Sequence, residues 1–369
     1  MRRLLFENDY EMREMRKVSD TQPLLSLHDV RASFRTPNGI VHAVRGVSME
    51  LKQGQIYGLI GETGSGKSVL GLTIPGLLPA EAEVSGSIVY KGQSLLELDP
   101  RSRRKLRGRD IALIPQNPAS SLNPVLSIGY QLLEAIRLYG RIGRKEAREQ
   151  AIGLLEELGL PEPRRQLRAY PFQLSGGMKQ RVLAAIGTAG APSLLIADEP
   201  TKGLDAVVRN QVASLLRAAA RRTGAAMLVI THDLHVARAL CDRIGVMYAG
   251  QIVEEAAAAE LFVSPRHPYT RGLLGSLPGR GMAAIPGASP SLTEMLPGCA
   301  FHPRCGERLA LCAAAQPQLQ AIAMRQDGGR KGEADSAGCK ARCFLYDSGR
   351  ASEQTVSERT MEPASVPGR

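Results

Sequence analysis

The chain has 369 residues, 43% hydrophobic and 22% charged, enough to bury a core without disulfide staples and far from collagenous or wholly disordered composition. Aromatics are only 4%, with no Trp, which argues against the base-stacking platforms that grip single-stranded nucleic acid. Lys and Arg number 47 against 36 Asp and Glu, a net charge of +11; this suits nucleic acid, an anionic membrane surface or a polyanionic ligand, and does not choose among them.

Residues 1–20 interleave acids and bases and lack an apolar core of signal-peptide length, so a helical or frayed leader is expected and secretion by that route is not. Alternating apolar positions from Leu25 to about Leu51, around the turn Pro37-Asn38-Gly39, predict short antiparallel strands. Gln55 to Ile60 reads as a buried strand entering a Gly-rich turn, with helical spacing from Ser68. Leu132, Leu133, Ile136, Ile152, Leu155 and Leu158 give helical periodicity to about 128–160. Two runs of strand length, Ser193–Ala197 and Ala226–Ile230, flank a helical segment from Val207 to Arg222, an alternation that predicts a parallel α/β sheet.

The longest strongly apolar stretch, Val182 to Ala197, is interrupted by Gly187, Gly190 and Pro192. It falls short of the roughly 20 residues that span a bilayer, so a membrane role is expected to come through a partner. Beyond about Leu261, frequent prolines and five of the six cysteines mark a small appended domain. Residues 325–338 and 348–369 are polar, and both read as flexible.

Gly61-Glu62-Thr63-Gly64-Ser65-Gly66-Lys67-Ser68 fits the phosphate-loop pattern completely, with a strand before it and a helix after. The glycines let successive N–H groups face phosphates, Lys67 would neutralise the β- and γ-phosphates, and Ser68 would hold Mg²⁺. A Gly-rich turn without a ligand would share only part of this pattern. Leu194-Leu-Ile-Ala-Asp198-Glu199 ends a strand with two carboxylates: Asp198 is expected to bind Mg²⁺ through water, and Glu199 to act as general base. Ser175-Gly176-Gly177, opening a helical run, makes a second anion-binding helix start. One nucleotide does not need two cradles from one subunit, so the second is expected to serve a nucleotide held by another subunit; a plain N-cap is the alternative.

The octamer Leu174-Ser-Gly-Gly-Met-Lys-Gln-Arg181 resembles the signature motif of ATP-binding-cassette (ABC) ATPases, and further elements follow in the family's order. Gln116 resembles the Q-loop glutamine, Asp205 the D-loop aspartate and His232 the switch histidine, while Phe34 stands where the family places an aromatic against adenine. The resemblance implies that His232 contacts the γ-phosphate and attacking water, and that Gln116 links Mg²⁺ and water to the transport partner. It also implies a P-loop NTPase fold of ABC type, with a parallel core sheet, an antiparallel β subdomain and a helical subdomain. The expected divisions are a leader over 1–22, an ATPase domain over 23–262 with its helical part at about 120–180, a cysteine-containing domain over 263–347 and a tail over 348–369.

Gln116-Asn-Pro-Ala-Ser-Ser-Leu-Asn-Pro124, His267-Pro-Tyr-Thr270 and Cys299-Ala-Phe-His-Pro-Arg-Cys305 resemble the oligopeptide/dipeptide importer ATPases, which include nickel and metallophore transporters. Lys179, Lys202-Gly203 and Pro75 depart from the family pattern without removing a catalytic group. Cys299, Cys305, Cys312 and Cys339 could hold Zn²⁺ or an iron–sulfur cluster. Their spacing resembles the four-cysteine motif for which a [4Fe–4S] cluster is implied, with Cys343 as an alternative to Cys339. Distance in sequence sets this site apart from hydrolysis, in a structural or redox-sensing role.

The resemblance implies an ATP- and Mg²⁺-dependent ATPase that drives uptake of peptides or a related solute from the cytoplasmic face of the inner membrane. Its partners would be a sister ATPase in a heterodimer, two membrane-spanning permeases and, indirectly, an external solute-binding protein. The surface around Gln116 and residues 128–160 is the expected permease contact. Nickel or metallophore import is one alternative and a soluble cassette ATPase acting on nucleic acid another. A single cassette, no long coiled-coil insertion and few aromatics weigh against the latter, and no nucleic-acid partner is expected.

Overall fold

The computed structural model describes residues 22–140, 142–279, 281–322 and 338–347. The expected leader, residues 325–337 of the polar segment and the 348–369 tail lie outside these. Strands β1 (Leu25–Thr36) and β2 (Gly39–Leu51) form the expected hairpin, in register from Leu25 opposite Leu51 to Thr36 opposite Gly39. Strand β3 (Ile56–Ile60) leaves for the core, while β4 (Ala82–Tyr90) and β5 (Gln93–Ser94) complete a sheet of order β2-β1-β4-β5.

The second sheet has eight strands. Its parallel part is β6 (Ile111–Ile114), β7 (Leu194–Asp198), β8 (Ala226–Thr231), β3 and β9 (Arg243–Tyr248). Every residue of β3, β7 and β8 is buried, which is why they read as unbroken apolar runs: a parallel sheet is covered on both faces. Around it lie α1 (Lys67–Thr73), ended just before Pro75, and α2 (Pro100–Leu106). The periodic 128–160 segment becomes two helices, α3 (Ile128–Tyr139) and α4 (Arg144–Glu157), with Gly140 and Gly143 in the break. Leu132, Ile136, Ile152 and Leu155 are buried, as their spacing predicts. Helices α5 (Gly176–Thr188), α6 (Ala206–Thr223) and α7 (Leu234–Leu240) connect the core strands. No helix among the described residues is long and apolar enough to cross a membrane.

Strand β10 (Gln251–Ala257) turns back antiparallel to β9 and leads into α8 (Ala258–Val263) and α9 (Pro268–Gly275). The appended segment is less separate than its composition predicts. Leu261, Tyr269, Leu274, Phe301 and Cys339 join the core that holds β7 and β8, and β12 (Lys340–Ala341) extends the sheet between β10 and β11 (Gln320–Ala321). A Pro- and Gly-rich stretch has too little apolar surface for a core of its own, so it borrows one.

The junction into α9 is built on buried polar groups. The fully buried Glu254 carboxylate accepts the N–H groups of Arg266 and His267 at 2.7 and 2.8 Å. His267 caps α9, its Nδ1 accepting the Tyr269 N–H at 3.0 Å. Burial, helped by Arg271 and Arg342, pushes the His267 ring down from 6.5 to about 3. Below pH 6.5 the unfolded chain takes up this proton and the folded chain does not. The stability contributed by the neutral ring is therefore complete above 6.5 and lost as pH falls toward 3, by up to about 1.4 kcal/mol per pH unit. His267→Asn, which keeps a capping acceptor, is expected to flatten the dependence of melting temperature on pH across this window; an unchanged slope would contradict the assignment.

Candidate active site

The loop Gly61–Ser68 leaves the end of β3 and enters α1. Two glycines are required by close approach of other backbone. A Cβ on Gly61 (φ +149°) would lie 2.1 Å from the Met247 carbonyl oxygen, and one on Gly66 (φ +98°) 2.0 Å from that of Ala43. Inside the loop the Lys67 ammonium donates to the carbonyls of Gly61 (2.9 Å) and Glu62 (2.7 Å) and to Ser65 Oγ (3.2 Å). Burial lowers its pKa, opposed by the carboxylates of Glu199, Asp198 and Glu62. A phosphate would meet a largely desolvated cation, where attraction is stronger than in water.

Asp198 ends β7 beside the loop, its Oδ1 accepting from Ser68 Oγ at 3.1 Å. Burial raises its pKa, opposed by the Ser68 hydrogen bond. Two adjacent hard oxygens at the phosphate end of the loop fit Mg²⁺, which keeps several of its own waters and needs few protein ligands. Glu199 adopts φ +48°, a left-handed conformation that costs a non-glycine residue about 1–3 kcal/mol and gathers at functional sites. Its N–H donates to the Ile230 carbonyl at 2.8 Å, and the Glu199 carbonyl accepts the Lys202 N–H at 3.1 Å. So held, the Glu199 carboxylate receives the His232 N–H at 3.1 Å, His232 Nδ1 at 2.7 Å and Thr231 Oγ1 at 3.3 Å. The imidazole is half exposed, and its Nε2 takes no partner among the described residues. A carboxylate, an oriented imidazole and a lysine at one sheet edge can bind phosphates and accept a proton from water.

The other expected residues frame this edge. Gln116 follows β6, the strand beside β7. Asp205 caps α6, its Oδ1 accepting the N–H groups of Val207 and Val208, each at 3.0 Å. Arg209 joins two expected elements, donating to the Leu204 carbonyl and pairing with Asp233 next to His232. Half-buried Phe34 lies near the end of β1, opposite Val41. Ser175 caps α5, its Oγ accepting the Met178 N–H at 3.3 Å. Ser175 and Gly176 are exposed and Gly177 half-buried, and none of the three hydrogen-bonds to the phosphate loop among the described residues.

Side chains that motif matching did not single out for the site come from beyond residue 260. Tyr269 OH accepts the Glu62 N–H at 3.0 Å, and Arg304 Nη1 donates to Glu62 Oε2 at 3.1 Å. Tyr269 lies in His267-Pro-Tyr-Thr270 and Arg304 in Cys299–Cys305, two segments that carry the resemblance to peptide importers.

Cys299, Cys305, Cys312 and Cys343 line one small cavity with His302. Among these sulfurs, that of Cys312 accepts the Leu309 N–H at 3.4 Å. Burial pushes the thiols of Cys299 and Cys305 up, and that of Cys343 to about 12. Cys339, the expected fourth cysteine, lies outside this cavity, beside Glu254 and Glu260, its thiol raised to about 11 chiefly by burial. The short β12 intervenes and carries the chain on to Cys343. Among the described residues no group of three or more His, Cys, Asp or Glu is arranged to hold a metal ion. Nor is the site remote from the phosphate loop, because Arg304 lies within the Cys299–Cys305 segment.

Residues 44–202 match the ABC transporter family, and residues 253–312 the C-terminal region of oligopeptide/dipeptide transporters. An oligopeptide transport ATP-binding protein of Mycobacterium tuberculosis is 44% identical over 82% of this chain, which spans only 50% of that relative's length. A probable peptide ABC transporter ATP-binding protein of Sinorhizobium fredii is 42% identical, over 81% of this chain and 92% of its own. The dimeric ATP-binding cassette MJ0796, solved in a post-hydrolysis state with ADP and Pi, is 29% identical with a TM-score of 0.57, over 63% of this chain and 98% of its own. With the phosphate loop, the Ser175–Gly177 segment and both matched regions in one polypeptide, the chain belongs to the ABC transporter ATP-binding proteins of the oligopeptide/dipeptide type.

Proposed function

We propose that the chain is the ATP-hydrolysing subunit of an importer for di- or oligopeptides. The observation that carries the reading is the gathering of Lys67, Ser68, Asp198, Glu199 and His232 at the carboxyl ends of β3, β7 and β8 while Ser175 and Gly176 stand exposed elsewhere. Half a pocket of each kind is what a sandwich of two subunits requires. The phosphate loop of one would face the Ser175–Gly177 helix start of the other, with Asp205 near the boundary and Phe34 against the adenine. The peptide-transport names of the relatives and the dimeric cassette among the solved structures support the same assembly.

In the proposed reaction Lys67 leaves the loop carbonyls for the β- and γ-phosphates, and the loop amides from Thr63 to Ser68 hold the phosphate oxygens. Ser68 and Asp198 would hold Mg²⁺, with Gln116 completing its surroundings; the ion supplies charge neutralisation. Glu199 accepts a proton from the water whose oxygen bonds to the γ-phosphorus as the bond to the bridging oxygen breaks, leaving ADP and phosphate. His232 Nδ1 holds the Glu199 carboxylate in place while Nε2 faces the γ-phosphate.

The partners follow from the same reading: a sister ATPase in a heterodimer at the cytoplasmic face of the inner membrane, two membrane-spanning permeases and, indirectly, an external solute-binding protein. Exposed Val125, Tyr130 and Leu138, at and before α3, suit the permease contact. The ATPase unit is taken as 23–262, with its helical part at about 120–180, followed by the cysteine-containing unit to 347. The reading of a [4Fe–4S] cluster held by Cys299, Cys305, Cys312 and Cys343 is supported by the one cavity that the four share. It would supply a covalent tie across the segment or a redox response.

Replacing Glu199 by Gln is expected to lower ATP turnover about 10²- to 10⁴-fold and to trap an ATP-bound dimer on size exclusion; undiminished turnover would remove Glu199 as the base. Anaerobically purified Cys343→Ser should lose iron and the absorbance near about 400 nm, while Cys339→Ser keeps both. The opposite pattern would restore Cys339 as the ligand.

A further inference from the structure

Two segments of the C-terminal region converge on Glu62, the second residue of the phosphate loop. The hydroxyl of Tyr269, a fully buried residue of α9, takes its N–H at 3.0 Å. Its carboxylate receives Arg304 Nη1 at 3.1 Å and the Ser289 hydroxyl. Inside the loop the Glu62 carbonyl accepts Lys67 Nζ at 2.7 Å and the Ser65 N–H at 3.3 Å. When Lys67 turns to a phosphate it gives up that carbonyl, and the outside contacts of Glu62 remain to hold the loop's shape.

Arg304 is built to be immobile. Its Nε donates to the Pro286 carbonyl at 2.9 Å, Nη1 also to Ser289 Oγ at 3.0 Å and Tyr248 OH at 3.3 Å, and Nη2 to the Ile285 carbonyl at 3.4 Å. The guanidinium lies over the rings of Tyr248 and Phe301, 5.8 and 6.0 Å from their centroids. Phe301 in turn packs edge-on to Tyr248 at 5.3 Å and against Tyr269 at 5.5 Å. Exposure separates this pair from ordinary surface ion pairs. The Arg304 side chain is 7% exposed and that of Glu62 28%, against 77% and 58% for Arg35 and Glu83. Exposed pairs contribute little, whereas a fixed guanidinium on a partly buried carboxylate makes a strong, directional contact.

We propose that Arg304 is a positioning residue for the phosphate loop: it holds Glu62 so that the loop amides keep their phosphate-binding arrangement, and the cysteine-bearing segment thereby sets nucleotide affinity. The proposal rests on the ATP-binding role of Gly61–Ser68 given above. Because the contact shapes a cradle and touches no reacting atom, its loss acts on binding and leaves the chemical step alone.

The test uses the full chain with Arg304→Ala, Arg304→Lys, Glu62→Gln and the Arg304→Ala/Glu62→Gln double variant, each checked for iron content and folding. In nucleotide-free protein, hydrogen exchange of the amides of residues 61–68 is expected to quicken in Arg304→Ala. The Kd for Mg·ATP should rise about tenfold while kcat at saturating ATP changes less than about twofold, and Arg304→Lys should recover part of the affinity. In the Glu62→Gln background, Arg304→Ala should add less than about twofold, because the two residues act through one contact. If Arg304→Ala disturbs the cysteines, Glu62→Gln, which leaves that segment intact, is expected by itself to quicken exchange of the loop amides and to raise the Kd for Mg·ATP. Unchanged loop exchange and unchanged Kd in folded variants, or full additivity in the double variant, would overturn the proposal. Wild-type chain that binds no ATP would overturn the ATPase reading instead, since loop exchange is measured without nucleotide.

Discussion

The site depends on a backbone contact that no side chain could replace. The phosphate loop is clasped between β2 and the end of β9 with its following turn, so closely that a Cβ on Gly61 or Gly66 would fall on the carbonyl oxygen of Met247 or Ala43. The same turn reaches in to donate the Gly250 N–H to the Ser65 carbonyl at 3.0 Å, while the Gly250 carbonyl accepts the Arg45 N–H at 2.8 Å. Both sheets therefore meet at the loop, and its shape is imposed from outside as well as by its own eight residues. That confinement keeps Lys67 buried among acceptors and brings Ser68 against Asp198.

Confinement also explains the electrostatics. The site gathers one lysine and two adjacent carboxylates at a largely buried sheet edge, where each ion would be costly alone. Burial lowers the Lys67 pKa and raises that of Asp198, and the opposite charges offset part of each penalty. In this state the three loop acceptors around Lys67 stand in for phosphate oxygens, so the cation is never left bare. Glu199 adds backbone strain, held by hydrogen bonds to Ile230 and Lys202, and presents its carboxylate to His232.

Much of this was legible in advance, and the legible parts share a cause. The β1–β2 hairpin is written in local alternation and a Pro-Asn-Gly turn, and β3, β7 and β8 in apolar runs too short for helices. Lys67, Ser68, Asp198 and Glu199 sit at strand ends or in a contiguous pattern, so their placement follows from the strands that carry them. The appended segment was harder to read. Its prolines and cysteines suggested a separate unit, yet its apolar residues complete the main core and β12 lengthens the main sheet, because shared burial was the cheapest way to cover them. The sequence resemblance favours Cys339 as the fourth cysteine, with Cys343 as the alternative; the path of β12 leaves the first beside Glu254 and delivers the second to the cavity.

By itself, then, the amino-acid order determined the phosphate loop, the acidic strand end, the second helix start and the parallel sheet that arranges them, since each is set by residues within a turn or a strand of one another. Only the tertiary structure decided which four cysteines share a cavity and that Arg304 grips Glu62 across 242 positions of chain. Contacts at that separation depend on how the borrowed core folds the C-terminal segment back over β9 and β10, and no local pattern encodes that path.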